Sequence, residues 1–182
     1  LFIDWTFSED TLAEGYDFKS GKLKTVMDLA HAEGLKCFIF QPNLHTLSQT
    51  EESLINPEKA DGKTFFVSQD ALNDYVERAL APVMAHPAFY GVSLVDEPSY
   101  LQFDAISQVY DAVKAVCPDA YVMINLLPCQ DTALLKGMYC EGGADMNFVD
   151  AYKQYLNLYY EKIGSKCGYF MYDDYPIMQD GI

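Results

Sequence analysis

The feature that most constrains this chain is a regular alternation of short apolar runs with longer segments whose apolar residues recur every three or four positions. Residues 1–6, 35–43, 89–98, 120–128 and 167–177 read as five strands. Residues 17–34 place Leu23, Val26, Met27 and Ala30 at helical spacing, with Gly34 as a natural C-terminal stop. Ser68 can cap a second helix with the stripe Leu72, Tyr75, Val76, Ala79, Leu80 and Val83, ending before His86-Pro87. Phe103, Ile106, Tyr110 and Val113 mark a third helix, closed at Cys117-Pro118, and Phe148, Tyr152, Tyr155, Leu156 and Tyr159 mark a fourth, ended by Gly164. Parallel neighbouring strands need a crossover, and a helix is the usual one, so the pattern predicts an α/β fold built on a parallel sheet.

An open doubly wound sheet and a closed (β/α)8 barrel share this pattern, and eight repeats are needed to close the barrel. Two observations favour the barrel. No strand is followed by G-x-G-x-x-G or a P-loop glycine cluster, the signature of nucleotide-binding open sheets. Polar residues gather instead at strand C-terminal ends: Gln41 and Asn43, Asp96 and Glu97, Asn125, then Asp173, Asp174 and Tyr175. Barrel enzymes draw their catalytic groups from several strand ends on one face. The expectation is a partial TIM-type barrel of about five β/α repeats, with residues 1–182 forming one catalytic domain. The long stretches 44–67 and 129–145 follow strands and would wall the same face.

Half of the 182 residues are hydrophobic and 14% are aromatic, enough to bury a sizeable core and to exclude disorder. A formal charge of −15, with no basic stripe, argues against nucleic acid and anionic membrane surfaces as partners. No apolar run is long enough to span a bilayer. The first residues read as a strand already under way, as in an excised chain, and exposed barrel edges would then favour self-association. Five cysteines lie far apart without a C-x-x-C, so zinc-ribbon and redox motifs have no footing; Cys129 and Cys140, flanking one loop, could pair in an oxidising compartment.

Period-two alternation along Gly91-Val92-Ser93-Leu94-Val95-Asp96-Glu97-Pro98 puts Ser93, Val95 and Glu97 on one side and Val92, Leu94 and Asp96 on the other. Large aliphatics suit the helix-facing side, so Glu97 is expected to point into the strand-end mouth and Asp96 away from it. A carboxyl in a partly dry mouth has a raised pKa and can donate a proton near neutral pH. The competing reading is a salt-bridged glutamate at a strand end. Asn43 and Asn125 suit hydroxyl recognition, although buried amides satisfied by their neighbours occur in any such fold. Trp5, Tyr172 and Tyr175 could stack on a sugar ring, while core packing explains most of the fourteen tyrosines. His31, His45 and His86 are scattered and read as structural.

His86-Pro87-Ala88-Phe89-Tyr90-Gly91 leading into Asp96-Glu97-Pro98 resembles the fourth strand of clan A glycoside hydrolases, where Asn-Glu-Pro carries the acid/base glutamate. Asp96 stands in place of the asparagine, as in several bacterial families similar to the clan. Asn125-Leu126-Leu127-Pro128 and Tyr172-Asp173-Asp174-Tyr175-Pro176-Ile177 are similar to the fifth and sixth strand ends of those proteins. The resemblance implies strands two to six of the barrel, Glu97 as acid/base, and a nucleophilic glutamate on strand seven, beyond Ile182. It further implies a carbohydrate substrate and a retaining mechanism with the carboxyls about 5 to 5.5 Å apart; the strand-end residues Asn43, Asp96, Asn125, Asp173 and Tyr175 are expected to hold the sugar, and with no spaced ligand motif no metal or cofactor is expected.

Two rival readings stay open. One is a carbohydrate-binding or degenerate barrel fragment without turnover. The other is a sugar isomerase or lyase using a divalent metal through Asp96, Glu97 and Asp173.

Overall fold

A computed structural model describes residues 2–4 and 9–172, the first three as backbone. Among the described residues the strands are β1 (Phe2–Asp4), β2 (Cys37–Phe40), β3 (Phe89–Asp96) and β4 (Tyr121–Asn125). They form one parallel sheet in the order β1-β2-β3-β4. The helices are α1 (Lys22–Ala32), α2 (Pro42–Ser48), α3 (Gln69–Met84), α4 (Phe103–Val116), α5 (Ala133–Tyr139) and α6 (Phe148–Tyr159), with shorter turns between them.

The α/β class follows from the strand and helix alternation, but the barrel does not. The sheet is open, and a (β/α)8 barrel of five repeats is not what these residues form. Beyond β4 the expected fifth strand is reduced, within the described residues, to a single bridge between Leu126 and Tyr172, with Leu126 N–H donating to Met171 O at 2.8 Å. The reason lies in the end of α6. Gly164 does not stop it; a π-turn over Tyr160–Gly164 and a last turn over Ser165–Cys167 carry it on to Gly168, which takes φ +77°. Cys167, expected to open a strand, closes a helix instead. Alternation dictates parallel pairing, whereas closure depends on how many strands meet and at what tilt.

Local signals were otherwise obeyed. Gly34, at φ +69°, ends α1 in a Schellman arrangement: Leu35 N–H reaches Ala30 O at 2.7 Å and Gly34 N–H reaches His31 O at 3.0 Å. Ser68 Oγ accepts from Ala71 N–H at 3.3 Å to open α3, and all six residues of its stripe are buried. Along α4, Phe103, Ile106, Tyr110 and Val113 are buried as their spacing requires. With Val92, Leu94 and Val95 of β3 they belong to one cluster running through the molecule. Burying these side chains supplies the main driving force for folding, at roughly 25 cal/mol per Å² of apolar surface.

Two expected loops hold helices. Gln41 caps α2, its side chain accepting from Leu44 N–H at 2.8 Å, with Pro42 at the first position where a missing N–H costs nothing. Thr132 caps α5 inside the stretch 129–145, accepting from Leu135 N–H at 3.2 Å. Between Cys129 and Cys140 no disulfide forms: Cys140 is buried, its Sγ 3.8 Å from Met146 Sδ, and Cys129 is exposed. Among the described residues no helix is long and apolar enough to cross a membrane.

Candidate functional site

The geometry at the C-terminal ends of β3 and β4 turns on register shifts in β3. Phe38 pairs with Gly91 and Cys37 with Phe89, leaving Tyr90 extra; Ser93 pairs with Met123 and Val95 with Ile124, leaving Leu94 extra. Each extra residue is a bulge and reverses the parity of the residues after it. Leu94 and Val95 are therefore both buried in the core, and Asp96, the register partner of Asn125, is exposed. Plain alternation had turned Asp96 toward the helices and Val95 toward the mouth; instead Val95 is buried and Asp96 exposed, and the alternation does not extend to Glu97, whose φ is positive.

Asn125 Nδ2 donates to Asp96 Oδ1 at 2.8 Å. Its own Oδ1 is buried and accepts no hydrogen bond among the described residues, as is true of Ser93 Oγ one turn of the pleat below. An amide oriented by one neighbour and left with an open acceptor suits a hydroxyl donor arriving from outside.

Glu97 follows directly and is half-buried. Its N–H donates to Asn125 O at 2.7 Å, extending the ladder by one bond, while its φ is +48°. It is the only non-glycine among the described residues with positive φ, and the left-handed region costs such a residue about 1 to 2 kcal/mol. Strain of this kind persists where the surroundings over-determine it, commonly at functional positions.

Three tyrosines brace the adjoining backbone. Tyr155, fully buried on α6, donates to Pro98 O at 2.7 Å and accepts from Leu127 N–H at 3.2 Å. Tyr139 on α5 donates to Pro128 O and accepts from Gln130 N–H at 3.0 Å, and Tyr152 donates to Leu127 O at 3.1 Å. Burial raises the phenol pKa of Tyr139 and, more strongly, of Tyr155, and the negative charge of Glu97 adds to both shifts. Tyr155→Phe would leave one donor and one acceptor stranded in the interior. We expect it to cost about 1 to 3 kcal/mol, read as a lower denaturation midpoint at unchanged denaturant slope.

Alongside lies a hollow of about 510 Å³ whose lining includes Cys129, Tyr152, Tyr160, Phe170 and Tyr172. Tyr160 and Phe170 are parallel at 6.4 Å, both about half exposed. Tyr172, expected to offer a sugar-stacking face, thus lies beside the strand ends, and Tyr152 belongs to both the hollow and the brace. Asn43 is elsewhere. It sits in the first turn of α2 rather than on a strand end, donating to Asp10 Oδ1 at 2.5 Å.

Asp173, Asp174 and Tyr175 lie outside the described residues, and Trp5 does too. Among the described residues no three His, Cys, Asp or Glu side chains are grouped to hold a metal ion. His45 is a tether, its Nδ1 3.0 Å from Leu94 O, and His86 Nε2 lies 3.0 Å from Asp28 Oδ1 at the other end of the sheet. Sequence reasoning missed the tyrosine brace, since the period of α6 marks Tyr155 as core and carries no sign of where its hydroxyl bonds. Compared with family models, with curated proteins and with solved structures, the chain finds no match in any of the three, so the reading of the site rests on its own geometry.

Proposed function

We propose that this protein hydrolyses a glycosidic bond, with Glu97 as the acid/base. The observation that carries the reading is a glutamate locked in left-handed backbone at the end of β3, beside an Asp96–Asn125 pair with an unfilled buried acceptor.

In this reaction Glu97 gives its proton to the glycosidic oxygen as the bond from that oxygen to the anomeric carbon breaks. A second carboxylate, expected outside the described residues, attacks the same carbon and forms a glycosyl ester. Water then attacks the anomeric carbon, Glu97 takes the proton, and the ester carboxylate is released. Asp96 and Asn125 bind sugar hydroxyls, and the aromatic hollow takes the apolar face of a ring.

The test is Glu97→Gln assayed on aryl glycosides of graded leaving-group ability. A lost acid should lower hydrolysis of poor leaving groups by about 10²- to 10⁴-fold and spare those that depart without protonation. A uniform small loss across the series, or no hydrolysis by the unaltered protein on any glycoside, would overturn the proposal.

A further inference from the structure

A second cleft, of about 440 Å³, lies where α2, α3 and the 61–66 turn meet, and its lining includes Asp10, Asn43, Lys63, Thr64, Tyr75 and Arg78. That volume falls within the range of small-molecule sites. Its charge balance departs from the rest of the chain. Arg78 is the only arginine in a protein of formal charge −15. Lys24, Lys59, Lys136, Lys162 and Lys166 are each paired with a carboxylate; Lys63 and Arg78, like the other lysines, form no ion pair among the described residues and are free to meet a ligand.

Two of the nearby carboxylates already accept hydrogen bonds. Asp10 Oδ1 accepts from Asn43 Nδ2 at 2.5 Å and from Leu12 N–H at 2.9 Å. Asp61 accepts from the backbone N–H groups of Phe65, Thr64 and Lys63 at 2.7 to 3.0 Å, which lowers its pKa to about 2. That carboxylate, with Gly62 at φ +70°, folds the turn that carries Lys63 and Thr64 to the cleft. On the opposite wall the Arg78 guanidinium lies 5.6 Å from the centre of the Tyr75 ring, a contact that steadies a long side chain without consuming its donors. Asp74 and Glu77 flank Arg78 on α3 and are exposed, lining an adjoining hollow with it.

We propose that this cleft binds a small polyhydroxy molecule bearing one oxyanion, a sugar acid or a sugar phosphate. Lys63 and Arg78 hold the anion, and Thr64, Asn43 and Asp10 meet the hydroxyls. Arginine's planar fork matches carboxylate and phosphate oxygens in pairs, and lysine adds a compact charge. The proposal stands on this cleft and does not depend on Glu97.

Calorimetric titration with glucuronate, glucose 6-phosphate and glucose tests it on the protein and on Lys63→Gln/Arg78→Gln. At least one anionic sugar should bind, the stronger of the two identifying the oxyanion, with glucose at least about tenfold weaker. The double variant should lose at least about tenfold in that affinity, the size of one charged hydrogen bond. Because both side chains are exposed, its thermal midpoint should not move. Equal affinity for glucose and the anionic sugars, no binding of either anion, or full affinity in the double variant would overturn the proposal.

Discussion

Glu97→Gly is expected to yield a protein that folds at least as well as the original and hydrolyses glycosides about 10² to 10⁴ times more slowly. The two halves of this result come from different atoms. Relieving φ +48° removes about 1 to 2 kcal/mol of backbone strain. The greater freedom of glycine in the unfolded chain takes back about 0.4 to 1 kcal/mol. The net is a gain of up to about 1.6 kcal/mol, or at most roughly 3 to 6 °C in melting temperature for a chain of this size. The rate falls because the only proton donor the proposal uses is gone. Thermal melts and initial rates on a phenyl glycoside read both halves. A variant that kept its rate would remove Glu97 from the chemistry, and one destabilised by several kcal/mol would mean that the side chain is there for its contacts.

Gly91→Ala should have the largest effect on stability. A Cβ built at Gly91 falls 1.9 Å from Tyr121 O and 2.7 Å from Tyr121 C, backbone atoms of the paired strand that cannot swing aside. Accommodation would part β3 from β4 beside the stacked rings of Tyr90 and Tyr121, whose centres are 4.6 Å apart. We expect a loss of about 3 kcal/mol or more, a large fraction of the 5 to 15 kcal/mol that holds a typical domain folded. Gly137→Ala, within α5 and with its nearest neighbour at 3.9 Å, is the matched control. It should gain about 0.5 to 1 kcal/mol. Denaturant midpoints for the pair decide the matter, and coincident midpoints would refute the close approach at Gly91.

The parts of the fold legible in the sequence are those governed by residues near one another in the chain. Gly34 closes α1 and Ser68 opens α3 because caps act over three or four positions. The buried stripe of α3 repeats often enough to be recognised. α2 has seven residues, too few to display a period, and only Gln41 and Pro42 announce it. What lay beyond reading was set by distant partners. Whether the sheet closes depends on all its strands together, and Tyr90 and Leu94 become supernumerary only against β2 and β4. The meeting of Asp96, Glu97 and Asn125 at adjoining strand ends was visible in the residue types and their positions. Which of them shared a face was not, since counting by twos fails wherever a strand carries a residue its neighbour lacks. Asn43 was misplaced for a related reason: the strand before it stops at Phe40, three residues short of where its apolar run suggested.

The extra residue at Leu94 makes strand length, as much as side-chain identity, a determinant of the geometry at the tip. Removing one position between Ser93 and Asp96 would swing the aspartate under the helices and drag its amide companion out of register, with every ionisable group still present in the chain. A single codon lost there would thus break up the proposed centre while leaving the Asp-Glu-Pro triplet intact.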